Sequence, residues 1–235
     1  MPPTGRGRAD VCALSRRHNA VVAPSADRRC QELAQNVVAL RGPAVIAVDG
    51  VDGAGKTTFA SRLPNAIASA GRQPVTVHED DFLALREVRY RLGRDPPEGF
   101  FRDSYDLTAC VRHVLDPLRA GGDRLVRRRV FDYRTNAAVN APVEEVPVDA
   151  VVIVVIVEGM FLHRDELADR WNWSVFLDVP FAETARRLAQ RDGSQPDPEH
   201  PTMRRYVEGQ RIYLATCRPH ERATVILDNP DRGQK

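Results

Sequence analysis

The chain has 235 residues, with 34 Lys and Arg against 32 Asp and Glu, 43% hydrophobic and 6% aromatic residues, and four cysteines. Nearly balanced charge (+2) excludes a polyanion-coating protein, and so few aromatics exclude a stacking ladder for single-stranded nucleic acid. The length suits one domain with a sizeable core, and the composition is not that of a disordered chain.

The basic residues are almost all Arg; the only lysines are Lys56 and Lys235. Such a skew follows genomic base composition more than function. It singles out Lys56, where a compact ammonium on a flexible stem is used in place of Arg's planar fork. Cys12, Cys30, Cys110 and Cys217 are far apart, the pattern of reduced, buried thiols rather than of a zinc site or disulfide framework. The apolar run Ala150–Val157 is far shorter than the ~20 residues that cross a bilayer, and no apolar segment of signal-peptide type follows Met1. The expectation is a cytoplasmic protein without membrane or nucleic-acid partners, with self-association left open.

Residues 1–24 mix Pro and Gly with Arg6, Arg8, Arg16 and Arg17 and lack apolar periodicity, which predicts a disordered basic lead rather than a nucleic-acid arm. Residues 25–235 then read as one domain. Ser25 caps a helix through about Leu40, with Leu33, Val37 and Leu40 at helical spacing, and Gly42-Pro43 ends it. Ala44–Val48 is a short strand, followed by a glycine-rich turn and a helix from Lys56 to about Ala70 closed by Gly71. Pro74–His78 is a second strand. Leu83–Tyr105 is polar, Arg- and Pro-rich and too long for an ordinary connection, which predicts a functional loop. Asp106–Ala120 reads as a helix, and Arg124–Asn136 as a hairpin beside the loop. Val151–Val157 has no polar alternation, the mark of a strand buried on both faces of a parallel sheet. Ser174–Asp178 is a strand, Pro180 the first residue of a helix through Arg191, Met203–Cys217 a helix and Thr224–Asp228 a last strand. Strands alternating with helices predict an α/β protein with a doubly wound, mainly parallel sheet.

Gly50-Val51-Asp52-Gly53-Ala54-Gly55-Lys56-Thr57 fits G-x-x-x-x-G-K-[ST] in full, between a predicted strand and a predicted helix. Its glycines let successive amides of Gly50, Asp52, Gly53, Ala54, Gly55, Lys56, Thr57 and Thr58 converge on phosphate oxygens, and the helix N-terminus adds positive potential. Lys56 would reach the β- and γ-phosphates, and the Thr57 hydroxyl would hold Mg²⁺. The motif predicts a three-layer P-loop NTPase fold but does not separate kinase from GTPase, motor or switch.

The acids narrow the choice. The second strand ends in His78-Glu79-Asp80-Asp81-Phe82, and strand carboxyl ends face the ligand crevice of such a sheet. A kinase needs a carboxylate there to orient the acceptor hydroxyl and take its proton; Asp80 is the first choice and Asp81 the reserve. Glu158, closing the apolar run, is costly unless paired or near a cation; it serves either Mg²⁺ beside Thr57 or a structural partner. Arg187 and Arg191 share a helix face with Glu183. They read either as surface ion pairs or as residues flanking a mobile lid, about 187–203, that neutralise the transferring phosphoryl group.

With these segments in this order, Ala44 to Asn229 resembles the uridine kinase and related nucleoside kinase family, within a wider group that includes phosphoribulokinase and bacterial pantothenate kinase. Ile46–Thr58 resembles its P-loop and Asp80-Asp81-Phe82 its D-x-F element, whose Asp is the catalytic base. Asp103-Ser104-Tyr105-Asp106 resembles the segment after the acceptor loop, and Phe131-Asp132-Tyr133 the element that packs on the acceptor base. Glu158-Gly159 resembles the E-G after the central strand, and Phe176-Leu177-Asp178 with Arg187 and Arg191-Asp192 the strand and lid helix. The resemblance implies ATP or GTP as donor with Mg²⁺, and a nucleoside acceptor site about 83–136 shaped by Asp81, Phe82, Asp103, Phe131, Tyr133 and Arg134.

The departures concern the acceptor. Leu83 stands where well-studied uridine-cytidine kinases carry Tyr, Phe100 where they place an Asp on the sugar hydroxyls, and Asn136 near a base-reading His; Glu98 or Asp103 could substitute for the Asp. Other readings stay open: a pantothenate- or sugar-like acceptor, or a nucleotide-gated regulator without an acceptor. The spelling Asp52–Thr58 also resembles thymidylate kinases, although their later Asp-Arg-aromatic element has no counterpart in the matching place.

Overall fold

The computed structural model describes residues 26–40, 42–119, 121–146 and 153–229. The expected lead, the Ser25 cap, Cys12 and the first two residues of the strand from Val151 lie outside the described residues. The chain begins with helix α1 (Ala26–Val38), strand β1 (Ala44–Gly50), α2 (Lys56–Ser69) and β2 (Gln73–His78). An insertion follows with α3 (Arg86–Arg89), α4 (Pro97–Asp103), α5 (Leu107–Cys110) and four two-residue strands: β3 (Leu125–Val126), β4 (Phe131–Asp132), β5 (Ala137–Ala138) and β6 (Glu144–Glu145). The chain then returns through β7 (Ile153–Glu158), β8 (Trp173–Asp178), α6 (Phe181–Asp192), α7 (Arg204–Cys217), α8 (Pro219–Arg222) and β9 (Val225–Asp228).

The central sheet has the order β2-β7-β1-β8-β9, and every neighbouring pair is parallel. Every residue of β1 and β7 is buried. What alternates along them is which layer each side chain enters. Ile46, Val48, Val154, Ile156, Val175 and Leu177 pack with Leu33 and Val37 of α1 and Phe59, Leu63 and Ile67 of α2. Val45, Ala47, Val155, Val157 and Phe176 pack with Phe101 of α4, Leu107 of α5 and Tyr213 of α7. The result is three layers. Each large apolar side chain contributes about 1.5–3 kcal/mol when fully buried, against about 1 kcal/mol net for a typical hydrogen bond, so these two faces dominate the stability.

Several expectations need correction. The helix expected over Asp106–Ala120 stops being α-helical after Cys110 and continues as a π-turn (Val111–Leu115) and a 3₁₀ turn (Asp116–Leu118). Pro117 has no amide hydrogen for the carbonyl of His113, which accepts one from Arg127 instead (2.9 Å). The loop 83–105 contains α3 and α4 and is closed at its base by a Leu83–Tyr105 bridge and by the Asp106 amide donating to Phe82 (2.8 Å). The hairpin is β4–β5, spanning 131–138, while Leu125-Val126 pairs with Glu144-Glu145. Pro180 caps α6 from outside rather than opening it. Cys30, Cys110 and Cys217 are buried, and burial pushes the Cys110 thiol far above its ordinary range, as for an inert core residue. Among the described residues, no helix is long and apolar enough to cross a membrane.

Candidate active site

Parallel register brings the chemistry together. Val48 of β1, Glu158 of β7 and His78 of β2 stand side by side across three neighbouring strands. From this level β1 runs into the phosphate loop, and β2 runs into a 3₁₀ turn, Glu79–Phe82, that carries Asp80. Both therefore open at the carboxyl edge of the sheet, beside Glu158.

Two glycines of the loop hold a left-handed backbone that other residues rarely adopt. Gly53 has φ +76°, and a Cβ there would sit 2.8 Å from the Thr184 carbonyl oxygen; Gly55 has φ +87°, with Asn229 Nδ2 at 2.9 Å from its Cβ position. Lys56 opens α2, and its Nζ donates to the Val51 carbonyl (2.9 Å). The Thr57 hydroxyl lies 3.3 Å from both Glu158 oxygens. Residues from the far end of the chain brace the loop: Gln210 Oε1 accepts from the Asp52 amide (2.6 Å) and Asn229 Nδ2 donates to the Ala54 carbonyl (2.8 Å).

Beneath the loop, Asp49 accepts from the Gly50 amide (2.7 Å), from His163 Nδ1 (2.6 Å) and from the Tyr213 hydroxyl. His163 Nε2 faces Ser174 Oγ at 3.0 Å. The chain Ser174–His163–Asp49 has the connectivity of a hydrolytic triad, but all three are buried, so no substrate reaches it. It is a brace. Asp49 is not among the residues the sequence singles out, although a carboxylate directly after an apolar strand is a signal in itself.

Asp80 is exposed in the 3₁₀ turn that follows β2 at the carboxyl edge of the sheet. Its Oδ1 accepts from the Tyr105 hydroxyl (3.2 Å). Desolvation by the surrounding protein, then the charges of Glu158 and Asp52, raise its pKa from its ordinary value; the Tyr105 hydrogen bond and Lys56 oppose them. Asp81 pairs with Arg129 (3.3 Å), which also reaches Asp132 (3.2 Å). Glu79 is buried; Oε2 accepts from the Met160 amide (2.7 Å) while Oε1 has no partner, and desolvation pushes its pKa well up. A Cβ on Gly159 would sit 2.3 Å from Glu79, which explains the glycine after Glu158. His78 Nδ1 meets Glu158 Oε1 at 2.7 Å, and that hydrogen bond raises the imidazole pKa.

The remaining expected site residues divide. Phe82 is fully buried, a core residue rather than a substrate contact, because the turn that exposes Asp80 points it into the sheet-facing layer. Asp103 is buried and held by both ends of the Arg91 guanidinium (2.9 and 2.7 Å), so it is not available to an acceptor in this arrangement. Phe131 is buried under the Arg89 guanidinium, 5.8 Å from its ring centre, and Asn136 accepts from Arg89 (3.0 Å). Tyr133 and Arg134 project at the hairpin turn, Arg134 over the Tyr133 ring. Phe100 packs edge-on against Phe161 and Tyr206, and Glu98 is exposed on α4. Arg187 braces the loop from behind: it binds Glu183 (2.9 Å) and the Asn229 carbonyl (2.7 Å) and reaches the Gly53 carbonyl (3.4 Å). Arg191 is exposed, 3.7 Å from Asp52 and 2.9 Å from Asp192.

The family comparison decides among P-loop proteins, because the profile described as Phosphoribulokinase / Uridine kinase family matches residues 45–195. The chain belongs to that family. A uridine kinase of Leuconostoc citreum (strain KM20) is 27% identical over 187 residues, covering 75% of this chain and 79% of its own length. Among solved structures, a possible uridine kinase from Bacillus stearothermophilus superposes with TM-score 0.66 at 22% identity, covering 86% of this chain and 98% of its own. A candidate fructose transport system kinase from Silicibacter sp. TM1040 gives 0.67 at 23% identity, covering 87% and 99%. The family member described here is thus a uridine kinase-like P-loop kinase, a phosphotransferase with a nucleotide donor.

Proposed function

We propose that this kinase transfers the γ-phosphoryl group of ATP to a hydroxyl held at Asp80, and that the acceptor is the 5′-hydroxyl of a nucleoside such as uridine or cytidine, in cytoplasmic salvage. One observation carries the reading. Asp80 stands exposed at the carboxyl edge of the sheet, in the turn after the strand that neighbours Glu158, with raised basicity and within the electrostatic reach of Lys56 and Glu158.

In this reading, the loop amides and Lys56 hold the phosphates, Lys56 exchanging the Val51 carbonyl for phosphate oxygens. Asp80 takes the acceptor proton as the hydroxyl oxygen bonds to phosphorus and ADP leaves. Arg191 covers the transferring group, while Arg187 keeps the loop in shape. Thr57 and Glu158 are a hydroxyl and a carboxylate, oxygen donors that suit a hard cation retaining several waters; bound there, Mg²⁺ would neutralise phosphate charge. With these two side chains as the protein's share, nucleotide phosphates and water would complete the set.

Family membership and the Leuconostoc relative favour a nucleoside. A non-nucleoside alcohol acceptor, pantothenate- or sugar-like, is the second reading, favoured by a specific observation. Asp103, one of the two substitutes for the family's sugar-reading Asp beside the exposed Glu98, and Asn136, near its base-reading His, are already engaged by Arg91 and Arg89. The test is ADP release with ATP and Mg²⁺ across nucleosides, nucleoside monophosphates, pantothenate and sugars. Stimulation by uridine or cytidine supports the first reading, and stimulation by another acceptor alone the second. A flat panel with ATP still bound points to a nucleotide-gated regulator.

A further inference from the structure

The segment from Leu85 to Asp95 lends almost nothing to the core. Helix α3 has no buried residue, and Leu85, Val88 and Leu92 are all exposed. A segment without buried side chains needs another anchor to keep one course. Arg91 ties it to Asp103 of α4 and Arg89 to Asn136, and the anchor that takes its backbone carbonyls comes from α7. The buried Arg205 donates from Nη1 to the carbonyls of Gly93 (3.3 Å), Arg94 (3.2 Å) and Pro96 (3.0 Å), and from Nη2 to the carbonyl of Arg89 (2.9 Å). The same guanidinium lies over the Tyr90 ring, 4.9 Å from its centre.

Close packing holds the two parts in register. One turn along α7, Gly209 faces the start of α4 so tightly that a Cβ would sit 2.8 Å from the Pro97 carbonyl oxygen and 2.9 Å from the Phe100 ring. The next residue, Gln210, holds the Asp52 amide, and Tyr213 reaches Asp49. One helix therefore touches the segment 89–100, the phosphate loop and the brace beneath it.

We propose that Arg205 is the positioning residue that sets the acceptor segment at a fixed distance from the phosphate loop, with α7 as the gauge between them. This rests on the reading that residues 83–136 take the acceptor. Four carbonyls converge on one planar fork; an ammonium has fewer donors and no plane to lie on Tyr90, so Lys cannot replace it. The released carbonyls would find water at the surface. Loss of Arg205 therefore loosens the segment without unfolding the protein.

The experiment compares wild type, Arg205→Lys and Arg205→Ala by amide hydrogen exchange over residues 86–96, ATP affinity, and kcat and KM for uridine or whichever panel acceptor supports turnover. Exchange over 86–96 rises in both variants, acceptor KM rises about tenfold or more in Arg205→Ala and less in Arg205→Lys, and ATP affinity stays within about twofold. Unchanged exchange overturns the proposal, as does a risen exchange with unchanged acceptor KM. A parallel fall in thermal stability, ATP affinity and acceptor affinity also overturns it, because that is the mark of a merely structural residue. A wild-type protein indifferent to every acceptor counts against the kinase reading; the exchange measurement then decides the tether alone.

Discussion

His163 Nδ1 stands 2.6 Å from Asp49 Oδ2, with both side chains sealed from solvent at the point where β1 becomes the phosphate loop. Removing one hydrogen-bond partner of a buried carboxylate leaves it short of a donor in a medium that cannot solvate it, which typically costs about 1.5–3 kcal/mol. His163→Ala is expected to lose stability on that scale in urea denaturation. ATP affinity falls with it, because Asp49 also fixes the Gly50 amide. A loss below about 1 kcal/mol would show that Tyr213 and the amide alone satisfy Asp49.

Arg72 plays a comparable part at the other end of the sheet, away from the chemistry. This buried guanidinium donates to the carbonyls of Val37 (2.9 Å), Leu40 (3.1 Å), Gly42 and Ile153 (3.1 Å), gathering carbonyls around the end of α1 with the start of β7. Arg72→Lys keeps the charge but loses the fork. The expected cost is about 1.5–3 kcal/mol in chemical denaturation, with unchanged kcat and KM in the folded fraction.

These two braces mark the boundary of what the sequence reveals. β1, β7 and the phosphate loop are legible because their signals are local: unbroken apolar runs, and glycines spaced around Lys56. The position of Asp80 at the carboxyl edge was legible because its turn directly follows a strand end. Asp49 finds its partners 114 and 164 residues away, at His163 and Tyr213, and no periodicity links such positions. Asp103 looked free for an acceptor until folding brought Arg91 against it. The helix after Asp106 was overextended because apolar spacing counted for more than the missing amide of Pro117.

Glu79 makes stability depend on pH in a direction opposite to that of a salt-bridged acid. Desolvation is the largest cause of its raised pKa, followed by the charges of Asp49 and Asp80. Between its ordinary carboxylate pKa and its higher folded value, the native state binds more protons than the unfolded state, so stability falls as pH rises through that window. Glu79→Gln keeps an acceptor for the Met160 amide and carries no charge. The variant is expected to hold its Tm across the window where wild type declines, the two converging below the ordinary carboxylate range. Parallel Tm–pH curves would show that Glu79 stays ionised.

Asp80 can be tested through its neighbour as well as directly. Asp80→Asn removes the proton acceptor and should lower kcat by about 10²–10⁴, with ATP affinity nearly intact; near-wild-type turnover would end its assignment as base. Tyr105→Phe is the finer test. The Tyr105 hydroxyl donates to Asp80 Oδ1 (3.2 Å) and favours the carboxylate, against desolvation, which favours the acid. Without that hydroxyl the Asp80 pKa rises further, so at any pH on the acid side a larger fraction is protonated and inactive. The acid limb of the kcat/KM–pH profile is therefore expected to move to higher pH, while the plateau at alkaline pH changes little. An acid limb that stays in place in Tyr105→Phe, or one that moves to lower pH, would mean that a group other than Asp80 takes the proton.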